Sequence, residues 1–194
     1  MENRFTFATL AATFILGFLV FISAPKLSNV AQMTYDTADS GIIFRWRVEG
    51  AEHANELDTF NESFVKDMVN EAPVWTNMEL SSEELDVILK KMADIDFISY
   101  NRVFTPKRAT IGGEQTPFSH YYLEYRDETV TKIVQWNDRY YAPGNVRYNN
   151  LKELSRLIIK IVEAQPEYQE LPEPTAFYIQ LPFHSYMVNI QREM

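Results

Sequence analysis

The chain has no cysteine, which excludes disulfides, thiolate zinc sites, iron–sulfur clusters, cysteine nucleophiles and cysteine lipidation. Such a chain is compatible with life outside the cytoplasm. Histidine is scarce too: the three, His53, His120 and His184, are far apart and lack metal-ligand spacing. No Gly-rich phosphate loop is present, because Gly112–Gly113 lacks the Lys-Ser/Thr and the helix start that such a loop needs. There is no nucleophile elbow. Ser119, His120 and Asp127 assemble a triad only on paper, since neighbours on one strand point to opposite faces. No motif implies a cofactor or a metal.

Basic residues are in deficit, with 18 Lys and Arg against 27 Asp and Glu, a net charge of −9. Residues 1–30 hold only Glu2, Arg4 and Lys26, a net +1, so −10 falls on the remainder. That balance disfavours nucleic acid, whose phosphates demand clustered cations, and non-specific adhesion to an anionic membrane surface. The hydrophobic content of 46% suffices for a packed core and argues against global disorder.

Charge is wholly absent from Phe5 to Ala24. About 20 apolar residues are what a helix needs to cross the hydrocarbon core. The competing reading is a cleaved signal peptide, with a shorter apolar region and an A-x-A-like site. Here Ile22 precedes Ala24 and Pro25 follows it, both poor for cleavage, so an uncleaved single span is favoured. The short N-terminal tail and the large acidic domain place the N-terminus inside and the domain outside. Residues 1–26 are then the anchor (or signal peptide), 27–40 a polar tether, 41–174 a single α+β domain and 175–194 a C-terminal extension without an assigned structure.

Within the domain, Pro73–Tyr100 carries the strongest local signal. Val74, Thr76, Met78 and Leu80 alternate with polar residues and Trp75, the period of a half-buried strand. Ser81 stands three residues before Glu84, a capping box, with Leu80 and Leu85 placed as a hydrophobic staple. Leu85, Ile88, Leu89, Met92 and Ile95 form the apolar face of the helix that follows.

Gly41–Val48 alternates as a strand, with Phe44, Trp46 and Val48 on one face and Ile43, Arg45 and Arg47 on the other. Leu57–Val69 reads as a second strand, antiparallel to the first, with Lys66 breaking its pattern. His120–Tyr125 and Thr129–Trp136 form a hairpin around Arg126–Asp127–Glu128. Asn149 or Asn150 caps a second helix, whose apolar face is Leu151, Leu154, Leu157, Ile158, Ile161 and Val162 and which Pro166 ends. Segregated strands and helices predict α+β: an antiparallel sheet of about five strands with two helices on one face.

The soluble part resembles a family of extracytoplasmic, membrane-attached, lipoprotein-like proteins of Gram-positive bacteria. The residues that carry the resemblance are Leu57–Asp58–Thr59–Phe60–Asn61, Lys66–Asp67–Met68, Ile95–Asp96–Phe97, Thr116–Pro117–Phe118–Ser119, Trp136 and Leu171–Pro172–Glu173–Pro174. It spans most of residues 41–174. It implies an address outside the membrane and no activity. Many such proteins attach through a cysteine after the signal. This chain has none, so attachment rests on the apolar helix.

Two sets of residues are candidates for binding. Asp58, Thr59, Asn61, Lys66 and Asp67 put polar groups where plain alternation suffices for a strand, against the simpler role of Asp58 in an Asx turn. Arg102, Lys107 and Arg108 make a basic patch in the loop Asn101–Ser119, whose prolines and Gly-Gly pair keep it on the surface. Asp94 and Asp96 crowd a helix C-terminus, where negative charge is mildly unfavourable; solvated helix ends are the simpler account, a cation or partner site the sharper one. Trp46, Trp75 and Trp136 are core residues or a platform for sugar rings. The expected function is a non-catalytic module, anchored in the membrane, that binds a protein or an envelope polymer. The alternative is a cell-envelope hydrolase using acidic residues.

Overall fold

A computed structural model describes residues 40–106, 114–140, 142–179 and 186–189. Lys107, Arg108, His184, the anchor and all of the tether except Ser40 lie outside the described residues.

The architecture is α+β. A seven-stranded sheet has the order β4-β3-β2-β1-β6-β7-β5. Its strands are β1 (Gly41–Val48), β2 (Asn55–Asp58), β3 (Ser63–Lys66), β4 (Val74–Asn77), β5 (Val103–Phe104), β6 (Ser119–Arg126) and β7 (Thr131–Asn137). The helices are α1 (Ser82–Asp94), α2 (Val146–Ala164) and the short α3 (Pro166–Gln169). A separate hairpin joins β8 (Ala176–Ile179) to β9 (Tyr186–Asn189).

The expected five strands become seven for two physical reasons. Leu57–Val69 is not one strand. The Asp58 Oδ1 accepts from the Phe60 and Asn61 amides at 2.9 and 3.2 Å, and this Asx turn folds the segment into the antiparallel pair β2–β3. β5 is the other addition. It is two residues long and pairs parallel to β7, so the sheet is mixed rather than wholly antiparallel.

β1 sits at the centre, antiparallel to β2 and β6. Its even residues face the core. Ile42, Phe44 and the partly buried Trp46 meet Leu57, Phe64, Leu123, Tyr125, Val134 and Trp136 in one cluster with Ile88, Leu89 and Met92 of α1 and Leu151, Leu154, Ile158 and Val162 of α2. The helices therefore cover one face of the sheet. Aromatic rings form a layer there: Phe44 stacks on Trp46 at 5.2 Å between centroids, Trp46 on Phe64 at 5.9 Å and Tyr121 on Trp136 at 5.2 Å. At the start of β1, a Cβ on Gly41 would lie 2.7 Å from the Phe60 ring, so only glycine admits that ring.

Helix α1 begins as its sequence predicts. Ser81 is the N-cap and both bonds of the capping box with Glu84 are made. Leu80 and Leu85 are partly buried against the core. Helix α2 begins earlier than expected: its cap is Asn145, which accepts from the Tyr148 amide at 3.0 Å, not Asn149 or Asn150. Buried Tyr148 explains the difference, because it adds a core contact one turn before Leu151. Pro166 ends α2 as expected and then opens α3, where its missing N–H costs nothing.

Candidate functional site

The second face of the sheet is polar, and its side chains lie in rows set by register. One row runs from edge to edge: Trp75, Val65, Glu56, Arg45, Tyr122, Gln135 and Val103. The next row places Arg47 beside His120 and His120 beside Asn137. Adjacent strands stand about 4.8 Å apart and same-face neighbours along a strand about 7 Å. These two rows, over β1, β6, β7 and β5, line a groove of about 350 Å³. Its wall includes Arg45, Arg47, His120, Tyr122, Gln135 and Asn137, together with the aromatic residues Trp46, Phe104, Tyr121 and Trp136, and among the described residues it contains no carboxylate.

Each group has a defined state. The Arg45 guanidinium is bonded to Glu56 and lies 4.9 Å from the centre of the Tyr122 ring. Glu56, chiefly through that bond, raises the Arg45 pKa above its ordinary value. The Tyr122 hydroxyl donates to Glu124. Burial and then Glu124 push its pKa up, while Arg45 and Arg102 draw it down from the same side. His120 contacts Glu49, and its ring lies 5.0 Å from that of Phe118. Arg47 is exposed. One of its nitrogens reaches the Ala51 carbonyl at 3.4 Å, and among the described residues no acid pairs with it. The Asn137 carbonyl oxygen accepts the Arg139 amide at 3.2 Å, which leaves its NH₂ directed to other partners.

The polar residues singled out in Asp58–Asp67 are not in this groove; the fold itself uses them. Besides its Asx turn, Asp58 accepts from the Asn61 side-chain amide at 2.8 Å. Thr59 extends the β1 ladder, accepting from the Ile42 amide at 2.8 Å and donating to its carbonyl at 3.1 Å. Lys66 is 4% exposed, with Nζ 4.7 Å from the Tyr168 ring centre and 3.4 Å from Glu173. Asp67 is buried and bonded to Val69 and Tyr178. Arg102 stands at the groove end: its carbonyl accepts the Gln135 amide at 2.8 Å, and its side chain is exposed.

Asp94 is paired with Lys90 one turn back at 2.9 Å, and the Asp96 carbonyl accepts the Ser99 amide. Among the described residues no cluster of His, Asp or Glu is arranged to hold a metal. The three tryptophans divide. Trp46 and Trp136 belong to the core layer and also line the groove, whereas Trp75 is 61% exposed on the polar face of edge strand β4.

The groove was the least visible feature in the sequence. Its signal is Arg45 and Arg47 two residues apart on a strand whose other face is already apolar. Neither family models nor curated proteins give a match to the chain.

Proposed function

We propose that this chain is a membrane-anchored, non-catalytic binding module, outside the cytoplasm, and that its ligand sits in the groove over β1, β6, β7 and β5. One observation carries the choice of site. From three strands the groove gathers two arginines, a histidine, two tyrosines, two tryptophans and two amides, with no carboxylate in its wall among the described residues. Such a surface can orient a ligand, but it does not offer the two flanking acids that paired-carboxylate hydrolysis requires. The acids beside it on the sheet are already engaged, Glu56 by Arg45 and Glu124 by Tyr122 and Arg126. The cell-envelope hydrolase is therefore the less supported alternative.

The address rests on the uncharged run Phe5–Ala24 and on the resemblance to membrane-attached proteins of Gram-positive bacteria. No described helix is long and apolar enough to cross a membrane, and that run lies outside the described residues. The partner is a protein or an envelope polymer.

A photo-crosslinker placed at Val103, exposed on the groove rim, should capture the partner in intact cells, and one at Val146, exposed at the start of α2, should not. Equal labelling from both positions, or none from Val103, would remove the groove from the reading. For the anchor, the protein should stay with membranes after a high-salt wash and begin near Met1. A mature start between Pro25 and Met33 would establish the cleaved signal instead.

A further inference from the structure

We infer that the groove takes an oxyanion, a carboxylate or a phosphate, carried on a body about the size of a sugar ring. This rests on the reading of the groove as the ligand site and adds the chemistry of what fills it. The groups left over for a ligand are mostly donors. Arg45 has its charge balanced by Glu56. Arg47 is not satisfied by an acid among the described residues, and one bond to the Ala51 carbonyl leaves most of its five N–H donors pointing elsewhere. That bond also restrains the guanidinium, which lowers the ordering cost of binding. The Asn137 carbonyl oxygen is occupied by the Arg139 amide, so its NH₂ is the free end. The Gln135 amide makes no side-chain hydrogen bond among the described residues and supplies two more donors and one carbonyl acceptor.

Acceptors are few. The Tyr122 hydroxyl donates to Glu124, so it offers a ligand its oxygen as an acceptor and no hydrogen. A neutral polyol needs donors and acceptors together, whereas an oxyanion needs donors alone. Arginine is suited to the planar, two-oxygen contact that a carboxylate or phosphate offers. Arg102, exposed beside Val103, adds a second unpaired cation among the described residues. Size follows from the volume. About 350 Å³ lies at the small end of ligand pockets, room for one ring and its charged substituent rather than a folded chain.

The test is calorimetric titration of the full-length chain in non-ionic detergent with glucuronate, glucose 6-phosphate, inorganic phosphate and glucose. The two charged sugars should bind, and glucose should bind at least about tenfold more weakly, the loss expected for one charge-assisted contact. A preference for glucuronate assigns a carboxylate, and a preference for the sugar phosphate assigns a phosphate. Affinity for the charged sugars should fall as salt rises from about 50 to about 500 mM. Arg47→Ala should weaken binding about tenfold or more, with an unchanged circular dichroism spectrum. Trp75→Ala, on the same face but outside the groove, should leave it unchanged. The inference fails if glucose binds as tightly as its charged derivatives, if Arg47→Ala binds like wild type, or if no anion binds below about 1 mM. Equal binding of inorganic phosphate and glucose 6-phosphate would overturn the ring-sized body. Crosslinking at Val103 without anion binding would defeat this inference and leave the binding module standing. Anion binding that Arg47→Ala abolishes, with no capture at Val103, would keep the groove as an anion site and defeat only the macromolecular partner.

Discussion

The Tyr178 hydroxyl donates to Asp67 Oδ2 at 3.0 Å across 111 residues of chain. The other oxygen of that carboxylate takes the Val69 amide at 2.9 Å, and the Asp67 amide donates to the Asn55 side chain at 3.1 Å. Asp67, directly after β3, thus joins the start of β2 to β8. Val69 has a φ of 69°, a left-handed conformation unfavourable for a β-branched residue, and the bond from its amide helps hold it there. Tyr178→Phe keeps the ring and removes the donor, so a buried carboxylate oxygen loses its partner. Urea melts should show a loss of about 1–2 kcal/mol, and the β8 amides should exchange faster. Coincident melts would mean that the hydroxyl contributes nothing to stability.

A buried ammonium raises a different question. Lys66 lies over the Tyr168 ring, and its carboxylate neighbour Glu173 is largely solvated. The desolvation cost of such a charge is hard to recover from one ring and one distant acid. Lys66→Met keeps the apolar stem and drops the charge. It should fold within about 1 kcal/mol of wild type or be more stable. Lys66→Ala should lose about 2 kcal/mol or more, from the cavity it leaves. If Met costs as much as Ala, the ammonium itself is what the fold requires.

How much of this was legible depends on how local each signal is. The Ser81–Glu84 box, the alternation of Val74–Met78 and the period of α1 lie within one short window, and the structure follows them. The β2–β3 turn was legible in Asp58 and Asn61, but continuous hydrophobic spacing from Leu57 to Met68 hid it. β5 has no period at two residues, and its partner Trp136 lies 32 residues on from Phe104. The start of α2 was obscured by three asparagines within six residues; only buried Tyr148 decides among them. The groove needed register. Arg47, His120 and Asn137 come from three strands, and no spacing along the chain states that they are neighbours.

Ser81 tests whether a surface cap matters once the helix is packed. Its hydroxyl accepts the Glu84 amide at 3.3 Å, and its own amide donates to the Glu84 carboxylate at 2.9 Å. Ser81→Ala breaks the first bond and should cost about 0.5–2 kcal/mol in denaturant melts. Ser82 is already helical and its hydroxyl reaches only the exposed Glu83 at 3.2 Å. Ser82→Ala should therefore cost less. Equal losses would show that tertiary packing of Ile88, Leu89 and Met92, rather than the cap, fixes where α1 begins.

Alkali should weaken the fold through Tyr121. Its ring is stacked on Trp136 in the lining of the groove, and its hydroxyl pKa is pushed up to about 12, first by burial and then by the Asp138 carboxylate. The folded state thus favours the neutral phenol. In the unfolded chain a tyrosine ionises near 10. The contribution is therefore fully present below about pH 10 and is lost as pH rises through about 12. Its size is at most about 3 kcal/mol. Tyr121→Phe keeps the stack and removes the titration. Any offset between variant and wild type at about pH 8 measures the lost hydroxyl contacts. On going to about pH 11, the variant should gain about 1 kcal/mol relative to wild type. Some alkaline loss should remain in the variant, because burial also raises the hydroxyls of Tyr100, Tyr122, Tyr168 and Tyr178. If the two stability profiles run parallel from about pH 8 to about pH 11, Tyr121 ionises no differently folded than unfolded, and its burial against Trp136 carries no electrostatic cost.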